Sequence, residues 1–317
     1  MSKEQEDRGI LECIERAEER AQGDDREFVR LLNECYAQST SASRLRGIPI
    51  AAVDRSPKVE QLLKDPRYLK NARELARRTQ GRTRVIGGIP VVKNDFLDCV
   101  AVGTCDLWTC TGTLIAPNVV ITAAHCGRSV TQVFFGNDVT RGGKTVSIED
   151  WCVHPDYTTV GHRNDLMVLL LSETIRNIAP RAIAEKATVD NATDGRVVGF
   201  GNNDPRGESG YGIKRQVDIA IASPSCSGML DGISDADRYR CFAGLEFVAG
   251  KPLLAKDSCT GDSGGPFYVQ GPNGWLLAGA TSRQTNASTH TCGDGGIYVR
   301  VERYLPWIRQ LKGVKLP

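Results

Sequence analysis

The sequence predicts an all-β domain, a barrel or a sandwich, preceded by an α-helical N-terminal segment and closed by a C-terminal helix. Two observations carry this. Residues 1–84 hold 33 of the chain's 78 charged side chains, and their apolar residues fall at helical spacing. Beyond residue 84 the pattern changes to short β-rich runs separated by turn residues, with no helical periodicity between them. At about 150 residues per domain, 317 residues make two domains or one large β domain with an extension. The formal net charge of +2 excludes a polybasic nucleic-acid coat or an acidic tail as the main theme. The longest apolar run, residues 166–171, is far short of the roughly 20 residues that span a bilayer.

Taken in order, Ile10, Leu11, Ile14 and Ala17, then Phe28, Leu31, Leu32 and Cys35, each make one stripe on a charged cylinder and predict two amphipathic helices. Ser56-Pro57 and Asp65-Pro66 each offer a capping side chain before a proline at the first helical position. Helices through Leu62-Leu63 and through residues 69–76 are expected to follow. Gly81 supplies a left-handed stop, and residues 80–84 form a basic link, which sets the domain boundary at residues 1–84 and 85–317. Strands are then expected at Val119-Val120-Ile121, at residues 166–171, at residues 197–200 and at residues 275–280 after Asn273-Gly274. Leu305, Ile308 and Leu311 share one side of the final helix, with Gly313 beyond it.

The strongest chemical signal is DSCTGDSGGP, residues 257–266, in which glycines around Ser263 let the backbone turn tightly and expose N–H groups. A serine so placed is a candidate nucleophile. Gly261-Asp-Ser-Gly-Gly also satisfies the GxSxG pattern of the α/β-hydrolase elbow, which an acidic residue and then a histidine should follow. Between Ser263 and the only later histidine, His290, there is no acidic residue, so that reading fails. Upstream, His125 lies in TAAHC and Asp165 in NDLMVLLL. The order is therefore His, Asp, Ser.

With these three segments the chain resembles the trypsin-like, chymotrypsin-fold serine peptidases from about residue 85 to residue 311. The resemblance implies an all-β two-barrel protease domain with a C-terminal helix, behind the α-helical N-terminal segment. It implies that Ser263 attacks the peptide carbonyl, His125 accepts and returns its proton, and Asp165 orients His125. The N–H groups of Gly261 and Ser263 would form the oxyanion hole. No metal or organic cofactor is required. Asp257, six residues before Ser263, matches the floor of the primary specificity pocket and implies substrates with Arg or Lys at the cleaved bond. Gly296, in GGIYVRV, should line that pocket. Where the family has Ser-Trp-Gly, this chain reads Ser282-Arg283-Gln284, which predicts a narrower, more basic pocket entrance.

Arg84-Val85-Ile86-Gly87-Gly88 resembles the family's activation junction, so cleavage after Arg84 would free Val85 to pair with Asp262. Of 11 cysteines, the resemblance pairs Cys110 with Cys126, Cys226 with Cys241, and Cys259 with Cys292. It assigns nothing to Cys13, Cys35, Cys99, Cys105 or Cys152. No CxxC or HExxH occurs, so no metal site is expected. The opening MSKEQEDRGI lacks the pattern of a secretory signal and favours the cytoplasm, whereas the cysteine pairs favour an oxidising compartment.

Residues 1–84 read as a propeptide or as an adaptor that recruits a protein partner. The second reading makes the chain similar to effector proteases of bacterial defence systems. A third alternative keeps the protease fold as a non-catalytic binding protein.

Overall fold

A computed structural model describes Arg20 and residues 65–79, 88–92, 94–202, 210–250, 258–285, 292 and 294–316. The amphipathic stretches around Ile10 and Phe28, the Ser56-Pro57 start, the Gly81 stop, and Arg84, Val85 and Asp257 lie outside these residues. Among the described residues no helix is long and apolar enough to cross a membrane.

Of the fifteen strands among the described residues, twelve build two barrels. The first closes β2 (Cys99–Gly103), β3 (Trp108–Ala116), β4 (Val119–Thr122), β7 (Met167–Leu171), β6 (Lys144–Val153) and β5 (Gln132–Phe135) in that order, every pair antiparallel. The second runs β9 (Arg215–Ser223), β12 (Glu246–Ala249), β15 (Gly296–Arg300), β14 (Gly274–Gln284), β13 (Pro266–Gly271) and β8 (Asp194–Gly199). It closes because β8 pairs with both β13 and β9, while β1 (Ile89–Pro90) adds to the edge of β9. β10 (Met229–Leu230) and β11 (Ile233–Ser234) form a separate hairpin. Each predicted run is a strand: Val119 to Ile121 in β4, residues 167–171 in β7, residues 197–199 in β8 and residues 275–280 in β14.

The continuous apolar character of β4 and β7 follows from position: β4 is fully buried and β7 nearly so, which removes the alternation of a half-exposed strand. One apolar cluster spans both barrels, joining Phe96, Ala101, Ile115 and Ile121 of the first to Val198, Phe200, Tyr268 and Leu277 of the second. A polar tie crosses the same interface. Arg181, on the connection between the barrels, donates to Asp98, and the Tyr268 hydroxyl donates to the same carboxylate at 2.6 Å.

α-Helices accompany the barrels. α1 (Pro66–Thr79) begins as its sequence predicts: the Arg67 N–H donates to the Asp65 carboxylate at 3.0 Å with Pro66 at the first turn. α2 (Lys186–Asn191) and α3 (Asp235–Tyr239) are short. The final helix is shorter than expected: α4 covers Leu305–Ile308, after which Gln310 and Leu311 bond three residues back. The tighter last turn runs into Gly313 at φ +85°.

Candidate active site

Each candidate residue sits at a chain feature that fixes its direction. His125 lies in a one-turn 3₁₀ helix, Ala124–Cys126, directly after β4, and the Cys110–Cys126 disulfide ties that turn to β3. Asp165 precedes β7, in a loop where Asn164 adopts φ +55°, its amide donates to the Asp156 carbonyl, and its side-chain oxygen accepts from Tyr304. The first barrel therefore brings two residues 40 apart into contact. The His125 ring Nδ1 lies 2.7 Å from Asp165 Oδ2, and the His125 backbone N–H donates to Oδ1 at 2.9 Å.

The second barrel completes this set. Ser282 Oγ, on β14, donates to Asp165 Oδ2 at 2.6 Å. Asp165 is fully buried. Burial alone would raise its pKa, but the hydrogen bonds from His125 and Ser282 hold it below the ordinary carboxylate value.

The Ser263 loop abuts the His125 segment. The Thr111 N–H donates to the Ser263 carbonyl at 2.9 Å, and the Thr111 hydroxyl donates to the Gly261 carbonyl at 2.8 Å. Gly264 allows this approach: at φ +76°, a Cβ there would sit 2.1 Å from Thr122 Oγ1 and 2.4 Å from the Ala123 nitrogen. Gly261 has φ +99°, and its Cβ would meet Gly201 Cα at 2.8 Å. Both glycines hold backbone conformations that side chains rarely adopt.

Asp262 is buried and accepts from the Gly201 and Cys259 N–H groups at 2.9 and 2.8 Å. Burial pushes its carboxyl up to about 6 against those bonds and the nearby Arg215. It lies in a cleft shared with Gly88, Gly199, Gly201, Arg215 and Gln216.

On the pocket side, Gln284 pairs with Gly296 across β14 and β15. The charge expected to make the entrance basic is met by Glu246. Arg283 donates two hydrogen bonds to it, at 2.6 and 2.8 Å, and its guanidinium lies over the Phe242 ring. The three expected disulfides are present, and Cys259–Cys292 joins the Ser263 loop to the segment before β15. Cys99, Cys105 and Cys152 are free thiols.

Sequence reading missed His162. Its ring meets His125 edge-on at 5.3 Å between centroids, and its Nδ1 lies 3.0 Å from the Tyr157 hydroxyl. Its place three residues before Asp165, in the same loop, was the available signal. Ligand atoms of His125, His162 and Asp165 lie within 4.8 Å of one another, so these three residues can approach a metal ion together. His125 and Asp165 already engage each other.

Two barrels with the His125–Asp165 pair and the Ser263 loop at their junction define the chymotrypsin fold of serine peptidases. The trypsin family profile matches residues 85–308. Among curated relatives, trypsin 5G1 of Aedes aegypti is 30% identical over 73% of this chain and 86% of its own length. Brachyurin of Leptuca pugilator is 29% identical over 73% of this chain and 99% of its own length. An inactive CLIP domain-containing serine protease, A3, of Aedes aegypti is 30% identical over 66% of this chain, which spans only 47% of that protein. The chain belongs to the trypsin family and is a serine endopeptidase.

Proposed function

We propose that the protein cleaves peptide bonds after Arg or Lys and is made as a zymogen activated by cut after Arg84. The hydrogen-bonded set of His125, Asp165 and Ser282, with the Ser263 loop bonded to the same barrel, carries the reading. Ser263 Oγ attacks the substrate carbonyl as His125 takes its proton, and the oxyanion that forms is held by the Gly261 and Ser263 N–H groups. His125⁺, stabilised by Asp165, gives the proton to the leaving amine. Water then repeats the sequence on the acyl-enzyme and restores Ser263.

Asp257 selects the basic side chain, and Gly296 and Gln284 are further residues of that pocket. The cleft that holds Asp262 supports activation: Val85 is three residues from Gly88 in its lining, and three residues reach at most about 10 Å. A freed Val85 ammonium entering there pairs with Asp262 and fixes the neighbouring oxyanion loop.

The test is hydrolysis of matched Arg, Lys and Phe peptides by the intact chain and by chain cut after residue 84, with Ser263→Ala as control. Replacing residues 80–84 with an enteropeptidase sequence permits a cut that frees Val85. The proposal expects hydrolysis after Arg and Lys by the cut chain alone. Equal rates before and after the cut would remove the zymogen step, and hydrolysis after Phe would remove the role of Asp257.

A further inference from the structure

α1 belongs to the leader by sequence, yet it is built into the second barrel. Tyr68, Ala72 and Leu75, one stripe of the helix, pack on Ala220, Ala222, Tyr239, Val248 and Ile297. Beside that stripe Arg67 bridges two buried carboxylates. It donates to Asp65 at 3.0 and 2.6 Å and to Asp235 at 3.1 and 2.7 Å. Every other side of the cluster is satisfied: the Tyr239 hydroxyl donates to Asp65 at 3.0 Å, and the Ser223 hydroxyl and Gly228 N–H donate to Asp235. Gly228 is needed there, because a Cβ would stand 2.5 Å from the Arg67 guanidinium. Further along, the Asn71 amide donates to the Ile221 carbonyl at 2.9 Å, and Arg78 pairs with Asp194.

We propose that α1 is a permanent part of the protease, so that a chain cut within residues 80–87 persists as a two-chain assembly carrying residues 1–79. Withdrawing the helix would strand Asp235, whose side chain is 0% exposed, without its cation and would uncover Tyr239 and Ala222. The attachment is non-covalent: from Cys99 onward each cysteine either pairs within the barrels or is a free thiol. The docking partners of α1 lie on β8, β9, β12, β15 and α3, none of which carries His125, Asp165 or Ser263. The leader is therefore a tether, which neither covers the triad through this helix nor leaves on activation. Whatever binds residues 1–64 stays on the cut enzyme.

The experiment uses full-length Ser263→Ala chain with the enteropeptidase sequence at residues 80–84, so its outcome does not depend on the chain's own activity or on activation at Arg84. After complete cutting, size-exclusion chromatography at low micromolar concentration should give one peak containing both fragments, in low and in high salt. An Arg67→Ala chain, cut in the same way, should show docking weakened by about 100-fold or more and release the leader. Should that variant fail to fold, Asn71→Ala, which removes one hydrogen bond, gives the weaker form of the comparison. Separation of the leader from residues 85–317 in the chain with Arg67 intact would overturn the proposal.

Discussion

Gly264 decides whether Ser263 can stand against the first barrel, because any side chain there meets Thr122 and the backbone of Ala123. Gly264→Ala should lower kcat/KM at least about 100-fold and destabilise the fold by roughly 2–4 kcal/mol, read from peptide hydrolysis and denaturant unfolding. Asp165→Asn removes the charge that orients His125 while keeping the shape, and should lower kcat about 10⁴-fold with little change in melting temperature. Asp262 gives a pH test. Its folded pKa of about 6 lies above the unfolded value of about 4, so between the two the folded chain holds a proton that the unfolded chain has lost. Its stabilising contribution is full below pH about 4 and is lost as pH rises through about 6. A Val85 ammonium beside it reverses that loss. The melting temperature of the cut chain should exceed that of the intact chain by more at pH about 7 than at pH about 4.5, and a gap independent of pH would count against the pairing. At this scale the sequence names His125, Asp165 and Ser263 because each lies in its own local motif. It is silent on the Arg283–Glu246 pair, whose partners are 37 residues apart on different strands.

Strands were legible where burial on both faces makes an unbroken apolar run, as in β4 and β7. The closing of the second barrel was legible only through the family resemblance, because nothing in the local run of β8 shows that it pairs with both β13 and β9. The docking of α1 was half legible: Asp65-Pro66 announces its start, but its ion pair joins Arg67 to a residue 168 positions away. The tie between the barrels is of the same kind. Arg181→Ala leaves Asp98 buried with only the Tyr268 hydroxyl among these partners, and should cost about 3 kcal/mol of unfolding free energy. Double substitution with Asp98→Asn should recover part of that loss, which a double-mutant cycle measures.

At the scale of the molecule, the candidate site exists only where the barrels meet. The first supplies His125 and Asp165, and the second supplies Ser263 and Ser282. Motifs far apart in sequence are thereby brought together, with Gly264 and Thr111 allowing the close approach of the Ser263 loop to the first barrel. The leader helix extends the same logic, since it braces β9, whose first residues line the cleft that holds Asp262. The central claim is that His125 activates Ser263 for attack. Its most direct test is mass spectrometry of the chain, cut after residue 84, after exposure to a phosphonofluoridate that labels activated serines. The account predicts one adduct, on Ser263, which is absent in His125→Ala. No adduct, a label on another serine, or equal labelling in His125→Ala would contradict it.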